Sequence, residues 1–213
     1  MAVYIYVVAR DFGFAPNPFH GVCTLATCKP VVRKMAREGD WIIGMGGAKL
    51  GAVGRCVFAM QVTETLTFDN YWADPRFRDK RPVRNGSRTM MLGDNIYRRH
   101  DGIWQQLDSH HSRPDGSPDI HNIKTDTGTD RVLISNHFFY FGKQAPEVPK
   151  EILENIRYKN ARGHRVYPED ECSDFLDWLN TTYSLNMNRL IDDPFQFHQS
   201  AARYSVSDDK IFD

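Results

Sequence analysis

DWIIGMGGAKLGAVGRCVFAMQVTETLTF, residues 40–68, is the stretch on which the fold turns. Asp40-Trp41-Ile42-Ile43-Gly44 begins one strand, GGAKLG is a turn, and residues 52–68 form a second strand, long and β-rich, that ends in clear alternation. The glycine-rich turn joins strand to strand rather than strand to helix. It therefore predicts a hairpin and not a phosphate-binding helix N-terminus.

Working outward, VYIYVVA (residues 3–9) is β-branched and aromatic throughout and reads as a buried strand. RDFGFAPNPFHG follows, and its Gly13, Pro16, Pro18 and Gly21 forbid regular structure. Thr27 is placed to cap a short helix with Pro30 in its first turn and Gly39 beyond its end. Residues 69–130 show little periodicity, and strand character returns over residues 131–142, RVLISNHFFYFG. Pro149 opens one late helix. Pro168 opens another, with Cys172, Phe175, Leu176, Leu179 and Tyr183 on one apolar face. The expected fold is α+β with a central, largely antiparallel sheet, one domain over residues 1–191 followed by a polar C-terminal tail over 192–213.

The 213 residues are 41% hydrophobic and 25% charged, which excludes disorder, a collagen-like repeat and a disulfide-dense mini-protein. No apolar run approaches the ~20 residues that span a bilayer. MAVYIYVVAR lacks a basic leader, and Cys23, Cys28, Cys56 and Cys172 follow no disulfide spacing, so the chain reads as cytoplasmic, with no membrane partner. Formal charge is zero, yet residues 1–113 hold 16 Lys+Arg against 10 Asp+Glu, and the remainder reverses that balance. One half is thus suited to an anion, although uneven surface charge accounts for the same numbers.

No Walker loop, GxSxG elbow, HExxH or CxxC is present. Cys23 and Cys28 read as small buried hydrophobes rather than zinc ligands, and neither a metal site nor a cofactor is expected. Two segments carry chemistry. In the first, Arg10, Asp11, Phe12, Phe14, Asn17, Phe19 and His20 leave a buried strand on a proline-stiffened loop. Aromatics held this way form a slot for a planar ring, with amide and charged groups at its edge. The competing reading folds the loop back and puts its phenylalanines in the core. Arg10 and Asp11, at the strand's end, are either pocket groups for a base or a surface ion pair.

The second segment, GDNIYRRHDGIWQQLDSHHSR (residues 93–113), gathers Asp94, Asn95, Tyr97, Arg98, Trp104, Asp108, His110, His111, Ser112 and Arg113. Asp-x-His spacing, as in Asp108 and His110, orients an imidazole as a general base, and Asp94 supplies a second carboxylate. The arginines suit phosphate. A polar surface loop is the plain alternative. Adjacent histidines rarely point the same way.

GDWIIGMGG with GAVGRCVFAMQVTETLTFDNYWADPRF resembles the core of PUA-like domains of the EVE, ASCH and YTH kind. RDFGFAPNPFHGVCTLATCKP, YWADPRF, GDNIY, DSHHS and RVLISNHFFYFG resemble the nucleotide modification associated domain family, type two, over about residues 3–142. The resemblance implies a curved, mostly antiparallel β-barrel or half-barrel flanked by helices, whose pocket accepts a modified base turned out of its stack. The expected function is recognition of a nucleotide or modified base in nucleic acid, serving DNA base modification or phage defence. The alternative is an enzyme acting on a nucleotide or nucleic acid through Asp94, Asp108, His110 and His111. Sequence leaves open whether a reaction is catalysed.

Overall fold

A computed structural model describes residues 1–212. In chain order the strands and helices begin with β1 (Ala2–Val8), β2 (Cys23–Leu25), α1 (Pro30–Met35), β3 (Trp41–Gly46), β4 (Cys56–Gln61) and β5 (Glu64–Leu66). The middle of the chain forms α2 (Phe68–Ala73), α3 (Arg88–Met91), β6 (Tyr97–His100), β7 (Ile103–Gln106) and α4 (Ile120–Asp126). Then come β8 (Val132–Ser135), β9 (His137–Tyr140), α5 (Lys150–Asn155), β10 (His164–Pro168), α6 (Ser173–Thr182) and β11 (Arg189–Leu190). The tail adds β12 (Arg203–Ser205) and β13 (Lys210–Phe212).

The hairpin expected from residues 40–68 is the centre of a six-stranded sheet ordered β10-β1-β3-β4-β9-β11. β3 and β4 pair antiparallel, but β1 lies parallel to β3 and β11 parallel to β9, so the sheet is mixed. Gly44 is required there: a Cβ at this position would lie 2.1 Å from the Phe58 ring. A second sheet, β2-β8-β5, is antiparallel, and β6-β7 and β12-β13 are two-stranded ribbons. None of these sheets closes into a barrel. The architecture is mixed α and β, with several separate sheets.

Two expected long strands are each broken, and for one reason. β4 pairs with β9 in the first sheet, while β5 pairs with β8 in the second. The breaks at Val62-Thr63 and at Asn136 therefore face each other, and a single two-stranded ribbon bends from one sheet into the next. Thr63 Oγ1 holds the bend, accepting from the Asn136 amide at 3.1 Å and donating to the Ile134 carbonyl at 3.3 Å. β4, β8 and β9 are largely buried and apolar, and half-buried β5 (Glu64-Thr65-Leu66) keeps the alternation of a strand, so the local pattern does not register the bend.

Two helix starts also differ from expectation. Thr27 does not cap α1; the cap position is Lys29, and the buried Thr27 hydroxyl finds no partner among the described residues. Pro168 ends β10 rather than opening a helix, and α6 begins at Ser173. β10 is an edge strand pairing only with β1, where a missing N–H is tolerated. The apolar face of α6 does bury Phe175, Leu176 and Leu179.

Buried side chains fall into two clusters. The larger joins the six-stranded sheet to Ile152, Phe175 and Leu179 of the late helices. The smaller gathers Phe12, Phe14, Phe19, Phe68, Tyr71, Tyr97 and Ile134 around the second sheet. Among the described residues, no helix is long and apolar enough to cross a membrane.

Candidate functional site

Where β1 runs out, the chain lines a cavity of about 290 Å³ with members of both clusters. β1 and its end contribute Tyr6, Val8 and Arg10, and the loop beyond contributes Phe12 and Phe14. Cys28 and Lys29 form one wall, His110 and His111 another, and Tyr204 and Val206 close it from the tail. The volume is near the lower end of the ~300–1,000 Å³ usual for small-molecule sites.

Cys28 and Lys29 both take left-handed backbone, at φ 57° and 41°. For residues with a Cβ this costs on the order of 1–3 kcal/mol each, so surrounding contacts must hold the turn in place. They do so at both its amide and its carbonyl. Cys28 N donates to Asp126 Oδ1 at 2.7 Å, and Cys28 O accepts from Arg33 Nε at 2.8 Å. Arg33 is wholly buried on α1, and its remaining donors go to the carbonyls of Asp126, Thr129 and Arg131.

Asp126, the last residue of α4, accepts through Oδ2 from His111 Nδ1 at 2.7 Å and from the Tyr97 hydroxyl at 2.8 Å. On the far side of the imidazole, His111 Nε2 lies 3.7 Å from Cys28 Sγ. Gln106 and Asn122 donate to the His111 carbonyl at 3.1 and 2.8 Å and fix the ring's backbone. Burial pulls the His111 pKa down, but the Asp126 carboxylate and the Cys28 sulfur together raise it above the ordinary value. Burial likewise disfavours the Asp126 carboxylate, and His111 and Arg33 more than offset that, lowering its pKa. The pair is an imidazolium beside a carboxylate.

Cys28, His111 and Asp126 place one donor atom each within 4.8 Å of one another, a spacing compatible with one cation. The imidazole, however, stands between sulfur and carboxylate, offering a different nitrogen to each. That is the order of a thiol, an imidazole that can hold its proton, and a carboxylate that orients the imidazole.

His110 is set apart from its neighbour electrostatically, not spatially. Their rings stack at 5.9 Å and 25°, and both face the cavity, contrary to the expectation for adjacent histidines. Burial, then the neighbouring His111 charge, lowers the His110 pKa to about 3, so its ring is neutral. Its Nδ1 lies 2.7 Å from the Ala202 carbonyl, which only accepts, so Nδ1 carries the hydrogen and Nε2 is left as an acceptor. Phe12 and Phe14 pack on the His110 ring at 4.5 and 5.0 Å.

At the cavity rim Arg10 stacks over Tyr204 at 4.9 Å and donates to the Asp209 carboxylate at 2.6 Å. Tyr6 is almost fully buried, and its hydroxyl has no hydrogen-bond partner among the described residues. Lys29 Nζ sits 4.3 Å over the same ring.

Of the residues expected from sequence, then, Arg10, Phe12, Phe14, His110 and His111 converge. Asp11 turns inward, accepting from the Tyr140 hydroxyl and from Phe195 N, and so anchors the tail rather than facing a ligand. Asn17 and Asp94 belong to a closed network. Lys80 Nζ donates to Asn17 Oδ1 at 2.7 Å, and Thr24 and Tyr71 donate to the two Asp94 oxygens at 2.7 Å. Asn95 binds the carbonyls of Tyr71 and Phe77. Phe19 packs on Phe197, and His20 stands on an exposed turn.

Tyr97 acts behind the wall through Asp126, while Arg98 and Trp104 line a separate shallow groove beside Trp72. Asp108 pairs with Arg203 at 2.7 Å and does not orient His110. Ser112 closes a local turn onto Leu107, and Arg113 is exposed. Cys28, Lys29, Tyr6, Asp126 and Tyr204 were not foreseen. The motif Cys28-Lys29-Pro30 held a hint, since proline at a helix start leaves the residues before it outside the helix.

The family model described as nucleotide modification associated domain 2 matches residues 1–201. No curated protein and no solved structure matches the chain.

Proposed function

The chain belongs to the nucleotide modification associated domain 2 family, and from that premise we propose that the cavity binds a nucleotide or a single base of nucleic acid. One observation carries the reading. Two polar–aromatic segments about a hundred residues apart, each readable as a base or phosphate contact, bring Arg10, Phe12, Phe14, His110 and His111 to the same cavity. Phe12 and Phe14 supply apolar ring contact, worth ~1–3 kcal/mol per base where stacking is achieved. The acceptor Nε2 of His110 and the unpartnered Tyr6 hydroxyl offer edge contacts. Arg10, at the rim, suits the phosphate.

The volume fits one base better than an oligomer. A base in a duplex would have to leave its stack, at a few kcal/mol, least where it is damaged or unpaired. Recognition of a modified base in the service of DNA modification or phage defence is the biological form of this reading. Calorimetry with free mononucleotides, modified mononucleotides and short DNA carrying modified bases tests it. At least one probe binds the wild type. Failure of every probe at millimolar concentration overturns the reading.

A further inference from the structure

We propose that Cys28 is a catalytic nucleophile, with His111 its proton acceptor and Asp126 the residue that positions His111, and that its substrate is a pyrimidine nucleotide. This rests on the nucleotide reading of the cavity above. Cys28 lines that cavity and is partly exposed, while Cys23, Cys56 and Cys172 are buried. A thiol poised on an imidazole that is itself oriented by a third group is the arrangement that activates sulfur. The aromatic walls, the lone Tyr6 hydroxyl and the Lys29 ammonium surround the same sulfur, so a ring entering the cavity meets it.

The substrate class follows from what a thiolate attacks. Sulfur adds reversibly to an alkene carbon conjugated to a polar group, and among the nucleobases it is the pyrimidine ring that offers one, at C6. In the resting pair the Sγ proton already sits on His111 Nε2, which makes the ring an imidazolium, and the thiolate electron pair forms an S–C6 bond. The C5=C6 π pair moves to C5 and, by conjugation, toward the C4 substituent. His111 then returns the proton to C5. The net change is addition of S–H across C5=C6, with no oxidant or reductant and no group lost. Reversal removes either hydrogen from C5, so the hydrogen at C5 exchanges with solvent.

Two readouts test this. Iodoacetamide mass labelling of the full chain without nucleotide should modify Cys28 ahead of the other three cysteines, and His111→Gln should slow it roughly 10²-fold, a general-base effect. Asp126→Asn should also slow it, with near-ultraviolet circular dichroism confirming that each variant is folded. If either variant unfolds, Cys28→Ser carries the test through the second readout. Incubated in D₂O, dUMP or dCMP should gain deuterium at C5 with the wild type and not with Cys28→Ser.

Binding of these nucleotides without exchange overturns the covalent step and leaves the pocket reading standing. No binding by either nucleotide, or by any wider panel, overturns both. Labelling of Cys28 that is indifferent to His111 overturns the Cys28–His111 pairing. Labelling that appears only after a chelator strips stoichiometric zinc from the purified protein overturns it in favour of a metal seat.

Discussion

Asp126 Oδ2 lies 2.7 Å from His111 Nδ1, and neither side chain reaches solvent. Each charge is tolerated in the interior because the other is there, and because Tyr97 and the Cys28 amide occupy the remaining carboxylate positions. Removing one partner leaves the other uncompensated, which costs about 3–5 kcal/mol for buried pairs. Asp126→Asn should therefore lose stability of that order at neutral pH in urea unfolding. A loss under ~1 kcal/mol would mean the pair is not ionised.

The two histidines should give stability opposite pH dependences. Burial first, then the adjacent His111 charge, holds His110 at about 3 against an ordinary 6.5. Because its folded pKa lies below the unfolded one, its contribution is full above pH ~6.5 and is lost as pH falls toward 3. His111 is raised, its carboxylate and sulfur neighbours outweighing burial, so its contribution is full below pH ~6.5 and is lost as pH rises through the folded value. Stability of His110→Gln measured against pH should fall less steeply on the acid side than wild type, by up to ~1.4 kcal/mol per pH unit. The alkaline side should be unchanged. Equal acid slopes would count against a neutral buried His110.

Arg10 divides a surface contact from a ligand contact. Its partner Asp209 is largely exposed, so the ion pair is weak and Arg10→Ala should change stability by only ~0–1 kcal/mol. Nucleotide affinity should drop by roughly 1–3 kcal/mol if the guanidinium meets the ligand. Titration calorimetry beside a melting curve separates the two. Unchanged affinity in the folded variant would remove Arg10 from the binding surface.

Asn122 ties the tail to the site. Its Nδ2 donates to the carbonyls of His111 and Tyr204 at 2.8 Å, and its Oδ1 accepts from Val206 N at 3.0 Å. Asn122→Ala leaves these buried groups unpaired, at about 1–3 kcal/mol for each unsatisfied group. Limited proteolysis should then cut after residue 202 faster than in wild type, and Cys28 should label faster as the cavity opens. Unaltered cleavage would show that the tail is held without Asn122.

Local pattern determined much of this protein. β1, β3 and β4 are written in runs of β-branched and aromatic residues, and the buried face of α6 in its apolar spacing, because burial selects side chains residue by residue. The same reading singled out residues 10–20 and 93–113, and five side chains from them do meet. Tertiary structure alone decided the rest. The ribbon's bend at Thr63 and Asn136 is invisible in the local pattern because strand character continues on both sides of it. Asp94 looked like a catalytic carboxylate and is instead sealed between Thr24 and Tyr71. Cys28, His111, Asp126 and Tyr204 come from separate turns, a helix end and the tail. Periodicity reports which face of an element is buried, whereas a contact between residues eighty or more positions apart depends on how whole elements pack, and it leaves no trace in the local sequence of either partner.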